Sequence, residues 1–220
     1  MVTLKEIKKN PLVLEFIKQS GNTLKVLKYT DHGLDHANLV AKRARQVARD
    51  IGLSKREQEL SAISGFLHDF ANFLSRGFHH YLGSIMFLDI FKDKFQPNEL
   101  VKISQAIANH DKFEMKFSNS ITACLILADK SHVHKERVII KDMKVIKEDI
   151  HNRVNFATTK SYLRINKAKK VISLILKIDT SFIPVIEYFE IFTERMIFCR
   201  KAAGYLGYKF GLVINNFKLL

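Results

Sequence analysis

Four apolar rows at helical spacing in this chain each carry a histidine or an aspartate at one end, and this restricts the possible folds more than any other feature. His36 stands on the row Val40, Ala44, Val47 and Ile51, which stops at Gly52. Leu60, Ile63 and Leu67 run directly into His68 and Asp69, in a helix that Ser54 and Glu57 open as a capping box. Leu100, Ile103 and Ile107 precede His110, with Pro97 suited to a first helical turn, while Ile121, Cys124, Leu125 and Ala128 precede Asp129. An ionisable side chain turned into a core must find a partner, since an unpaired polar group there costs about 1–3 kcal/mol and an unpaired charge more. One inward histidine is usually a hydrogen-bonded core residue. Several from separate helices, together with Asp69 and Asp129, are better served by a shared cation, because imidazole and carboxylate are ligands for Zn, Mn, Fe or Co.

Around these rows the chain reads as successive helices to about residue 134, including 33–51, a helix from 54 into His68-Asp69, 78–93 after a break at Arg76 and Gly77, one from Pro97, and 119–132. Past residue 140 the texture changes. Residues 150–157, 160–165 and 170–178 are short, rich in Val, Ile, Phe, Tyr and Thr, and broken at Thr158-Thr159 and Asn166-Lys167, which predicts antiparallel strands. A helix fits 184–203 and a last strand 208–214. The expected fold is therefore mainly α: a helical bundle over residues 1–140 that carries the site, and a small α+β extension over 141–220, a short antiparallel sheet plus one helix, packed on it.

With 36 Lys and Arg against 22 Asp and Glu, the net charge of +14 favours anionic partners, a small phosphate compound such as a nucleotide before a nucleic acid, because a Lys-rich coat on solvent faces accounts for much of the excess. No run approaches the roughly 18 to 20 apolar residues of a membrane span, and the opening MVTLKEIKKNP lacks a signal-peptide core, so a cytoplasmic protein without membrane contact is expected. Cys124 and Cys199 lie within apolar patterns and read as small buried hydrophobes. Homo-oligomer formation stays open.

The order His36, then His68-Asp69, then Asp129 resembles the H…HD…D signature of the HD superfamily, and the words HGLDHANLVAKRA, GFLHDF and LADKSHVHKERV resemble that family's local patterns over about the first 140 residues. HHYLGS at 79–84 and AIANHD at 106–111 resemble the extra histidine positions of members with two metals, where counting back four residues from Gly83 selects His79 over His80, and His110 fills the other position. The resemblance implies His36, His68, Asp69 and Asp129 around one divalent ion, with Asp69 bridging to a second held by His79 and His110; Fe, Mn, Co, Ni and Zn all suit such ligands. His32 is read as a helix cap or an orienting residue, and His132 and His134 as pocket rim or surface.

The implied chemistry is phosphoester or phosphoanhydride hydrolysis by metal-activated water, with Asp69 or Asp129 orienting the water and metals, and Lys130 and Arg137 as candidates to neutralise phosphate oxygens or, equally, as exposed charges beyond a helix end. Asn72 replaces the Lys that several phosphate-cleaving subfamilies carry three residues after the HD aspartate, and neither an HDxxED element nor a GYP segment is present. Two alternatives stand beside hydrolysis. One is a di-iron oxygenase on the same ligands; the other is a basic nucleotide-binding or nucleic-acid-binding module with a structural metal.

Overall fold

The computed structural model describes residues 1–112 and 117–219. The chain opens with α1 (Leu4–Ile7) and α2 (Pro11–Val26), followed by α3 (Leu34–Ile51), α4 (Lys55–Leu67), α5 (His79–Phe91), α6 (Pro97–Asn109) and α7 (Ser120–Lys130). The expected punctuation is in place. Gly52 caps α3 in the left-handed region at φ 93°, Ser54 and Glu57 close a reciprocal capping box on α4, and Pro97 begins α6. Every residue of α7 from Ile121 to Lys130 is buried, so it forms the axis of the bundle and its polar residues have to be satisfied inside the protein.

Two apolar clusters meet along α3 and α7. One joins Val13, Ile17, Val40, Ala44, Ile63, Phe66, Phe87, Ile107 and Leu125. The other takes Val47, Ala48, Cys124 and Leu127 from the same two helices and packs them against Leu174, Tyr188, Phe192, Cys199 and Leu212 of the C-terminal part. Both cysteines are buried and free, as expected. At the α3–α4 crossing Gly65 lies against the backbone of Ala41, a contact that only a residue without Cβ permits.

After a 3₁₀ turn at Lys135–Arg137 come α8 (Met143–Glu148), α9 (Ile150–Ala157), β1 (Thr158–Asn166), β2 (Val171–Ile178), α10 (Ile186–Tyr205), β3 (Lys209–Ile214) and β4 (Phe217–Lys218). The protein is thus mainly α with a small α+β part, but three expectations need correcting. Residues 150–157 form a helix: Asp149 caps its first turn by accepting from the Asn152 N–H at 2.7 Å, and Val154 and Ala157 share its buried face at helical spacing. The extension therefore carries α8 and α9 besides α10. The sheet, ordered β1-β2-β3-β4, is also mixed, with β2 and β3 parallel and the outer pairs antiparallel. Two parallel neighbours need a crossover, and α10 provides it. Asn215 and Asn216, both at positive φ, make the tight turn into β4. Arg43 binds these parts together, donating to the Ser131 carbonyl at 2.9 Å and to the carbonyl of Ser161 in β1.

Away from these junctions, Arg56 grips Glu99 with two hydrogen bonds of 2.6 and 2.7 Å, and those bonds hold the Glu99 carboxyl below its ordinary value of 4.5. A carboxyl lowered on folding stabilises the fold above its unfolded pKa and loses that contribution as pH falls through the folded value. Glu99→Gln is expected to cost about 1–2 kcal/mol near neutrality, with the gap to the parent closing in acid. Urea unfolding at about pH 7 and pH 3 measures it, and a gap that persists in acid excludes the ionic origin.

Candidate metal centre

Six residues singled out in the sequence converge inside the bundle. His36 comes from the first turn of α3, His68 is the C-cap of α4 with Asp69 next to it, His79 starts α5, His110 is the C-cap of α6, and Asp129 lies in the last turn of α7. All six are buried. His36 Nε2 stands 3.2 Å from His68 Nε2 and 3.5 Å from both Asp69 Oδ2 and Asp129 Oδ1. His68 Nε2 is 3.2 Å from Asp69 Oδ2 and 3.6 Å from Asp129 Oδ1. On the other side of Asp69, its second oxygen Oδ1 is 3.1 Å from His79 Nε2 and 3.6 Å from His110 Nε2, and those two nitrogens are 3.1 Å apart.

The ring orientations follow from local backbone. His68 Nδ1 donates to Gly65 O at 2.8 Å, His79 Nδ1 to Arg76 O at 2.7 Å, and His110 Nδ1 to Ile107 O at 2.7 Å. A carbonyl oxygen only accepts, so each Nδ1 carries a proton, and each ring in its neutral form turns an Nε2 lone pair to the centre. His36 Nδ1 meets His132 Nδ1 at 2.8 Å, which gives His36 the same orientation. His132 is therefore buried behind a ligand candidate instead of lying at the rim or surface. His134 does lie apart from the cluster, as expected, capping the 3₁₀ turn through the Glu136 N–H.

The arrangement fits divalent metal. Lone pairs from His79 and His110 face each other at 3.1 Å with both Nδ1 protons committed elsewhere, a repulsive contact that a cation between them turns into ligation. Metal bonds of about 2.0–2.2 Å place adjacent ligand atoms roughly 3.0–3.5 Å apart, close to the spacing in both sets. Three overlapping groups among the described residues, His36-His68-Asp69, His68-His110-Asp129 and Asp69-His79-His110, could each hold an ion. His80, the alternative to His79, belongs to none of them; its buried Nδ1 has no partner among the described residues, and burial, with His110 and His79 nearby, pushes it down to about 4.

The field of the cluster favours cations. Burial opposes charge on His68, yet Asp69 and Asp129 outweigh it and push the imidazole up to about 10. Burial likewise works against ionised Asp69 and Asp129, but His68 with the surrounding histidines for the first, and Lys130 with His36 and His68 for the second, hold both well below the usual carboxylate range. Metal uptake is then linked to proton release.

Lys130 and Arg137 are not exposed charges. Lys130 Nζ lies 3.1 Å from Asp129 Oδ2 and 2.6 Å from Asp111 Oδ1, and these carboxylates outweigh burial and raise its pKa. Arg137 donates to Asp31 O at 3.0 Å, His132 O at 2.9 Å and His32 Nε2 at 2.9 Å, so its donors hold the loop around His32 and the backbone of His132. Sequence reasoning missed two participants. Asp111 joins Lys130 to Arg76, whose Nη2 is 3.6 Å away, and Arg76 Nη1 lies 3.1 Å from Asn72 Oδ1, 3.4 Å from His79 Nε2 and 3.9 Å from Asp69 Oδ1. Asn72 thus anchors a cation near the place where it cannot supply one. Asp111 adjoins His110 in sequence, the one signal that pointed to it; Arg76 had none.

Neither the family models compared nor the curated proteins match this chain. Among the described residues no helix is long and apolar enough to cross a membrane.

Proposed function

We propose that the chain is a phosphohydrolase of the HD superfamily that uses divalent metal to cleave a nucleotide or a related phosphate ester or anhydride. The observation that carries this reading is the double-sided Asp69, whose Oδ2 faces His36 and His68 while its Oδ1 faces His79 and His110. On it, His36, His68, Asp69 and Asp129 would hold one ion, and Asp69, His79 and His110 would hold a second. Metal bound there supplies Lewis acidity and lowers the pKa of water into the neutral range. No side-chain nucleophile is then needed.

The protein's own part is charge and position. Asp69 and Asp129, ionised through the working pH range, keep the centre anionic enough to retain metal and can orient a water by accepting its hydrogen bond. Lys130 and Arg76 stand on the Asp111 side as cations for non-bridging phosphate oxygens. Arg137 acts as a positioning residue through His32 and His132. These cations beside the centre favour a phosphorylated substrate over the C–H substrate of a di-iron oxygenase.

Phosphate release from a nucleotide panel, with Mn, Fe, Co, Ni or Zn added singly, tests the reading. Release that EDTA stops and that His68→Ala abolishes is expected. No release with any metal contradicts it, and iron retention with dioxygen uptake but no phosphate would establish the oxygenase instead.

A further inference from the structure

Next to the centre lies a cavity of about 380 Å³ whose walls include Tyr29, Asn152, Phe192 and Arg195; two further wall residues adjoin the ligand candidates, His32 with its ring 5.3 Å from that of His36 and Arg76 3.4 Å from His79 Nε2. Its volume falls within the range of small-ligand sites and is far too small for a polynucleotide. The side walls come from different parts of the chain: the loop after α2, the turn before α5, α9 and α10.

Two of its polar side chains have no protein partner among the described residues. Asn152 is 3% exposed, and although its backbone N–H is taken by Asp149, no hydrogen bond to its carboxamide is found. On a residue that lines the cavity, a carboxamide with two donors and two acceptor lone pairs without a protein partner is available to a ligand placed there. Half-buried Arg195 forms no ion pair or hydrogen bond with the described residues, and its guanidinium packs over the Phe192 ring at 4.5 Å. Stacking holds the guanidinium plane and leaves its N–H edge free, the geometry that grips a phosphate with two parallel hydrogen bonds. Arg195 also lies close enough to Lys130 and Arg137 to oppose their charge, so a dianion placed there is drawn by all three. Asp149, the one carboxylate of the wall among the described residues, caps α9.

We infer that this cavity binds the part of the substrate that is not cleaved, and that the substrate class is a nucleoside diphosphate or a compound of like build: one phosphoryl group at the metal centre, a second anionic group on Arg195, and an organic body hydrogen-bonded by Asn152. The assignment of the cleaved group rests on the phosphohydrolase reading; the cavity's affinity for such a ligand does not.

Calorimetric binding of ADP and of adenosine to the full-length, EDTA-treated protein separates the two. ADP is expected to bind the parent chain, about tenfold or more weaker with Arg195→Ala, weaker also with Asn152→Ala, and unchanged with Arg200→Ala, an exposed charge farther along α10. Adenosine binding should be indifferent to Arg195→Ala. Absence of ADP binding, or equal loss from Arg195→Ala and Arg200→Ala, overturns the inference. ADP bound through Arg195 without phosphate release under any metal would leave the cavity assigned and the phosphohydrolase reading refuted; phosphate release with ADP affinity and KM untouched by Arg195→Ala would do the reverse.

Discussion

Asp69→Asn is expected to lower metal-dependent phosphate release by about a thousandfold or more while the helical circular dichroism stays near that of the parent. Both Asp69 oxygens are engaged, Oδ2 toward His36 and His68 and Oδ1 toward His79 and His110, and an amide of the same shape replaces one oxygen by a donor and removes the charge. Whichever way that amide turns, one set of histidines faces an N–H where it faced a ligand, and the field that draws a cation weakens on both sides. Steady-state rates over a range of added metal separate this from a simple loss of affinity. If saturating metal brings the variant to within tenfold of the parent, Asp69 is not shared between two ions.

Gly65→Ala should combine a loss of stability with a loss of metal. A Cβ on residue 65 would lie 2.9 Å from both Cα and N of Ala41 and 3.0 Å from the Val40 carbonyl carbon, all backbone atoms of α3 that cannot turn aside. α3 and α4 must then separate, at a cost of about 1–3 kcal/mol typical of overpacking. His36 and His68 sit on those two helices with their Nε2 atoms 3.2 Å apart, and the Gly65 carbonyl itself orients His68, so the shift is transmitted to the ligands. Denaturant unfolding of the metal-free chain together with metal titration would show both effects. Unchanged stability would mean that the crossing is looser than the structure places it, and lowered stability with full metal affinity would mean that the centre does not depend on this crossing.

His36, His68, Asp69, His110 and Asp129 were legible because helical periodicity tells which face a residue occupies, and burial then obliges partners, whereas His79 rested on the resemblance of HHYLGS to a two-metal pattern. Asp111 and Arg76 were not legible, since both lie in turns where no period assigns a direction; only the fold brings them beside Lys130 and Asn72. The cost of reading local composition alone is clear at 150–157. Val154 and Phe156 suggested a strand, whereas the Asp149 cap and the spacing of Val154 and Ala157 favour the helix that forms. With that helix misread, Asn152 could not be seen to share a cavity with Arg195. Strand direction was equally hidden: β2 and β3 run parallel because α10 crosses between them, a property of the connection and not of either strand.

The most direct test is an anomalous difference map from crystals of the protein loaded with manganese. Two peaks flanking Asp69 are expected, one among His36, His68 and Asp129 and the other between His79 and His110. A single peak, or metal bound away from Asp69, would contradict a centre shared through Asp69.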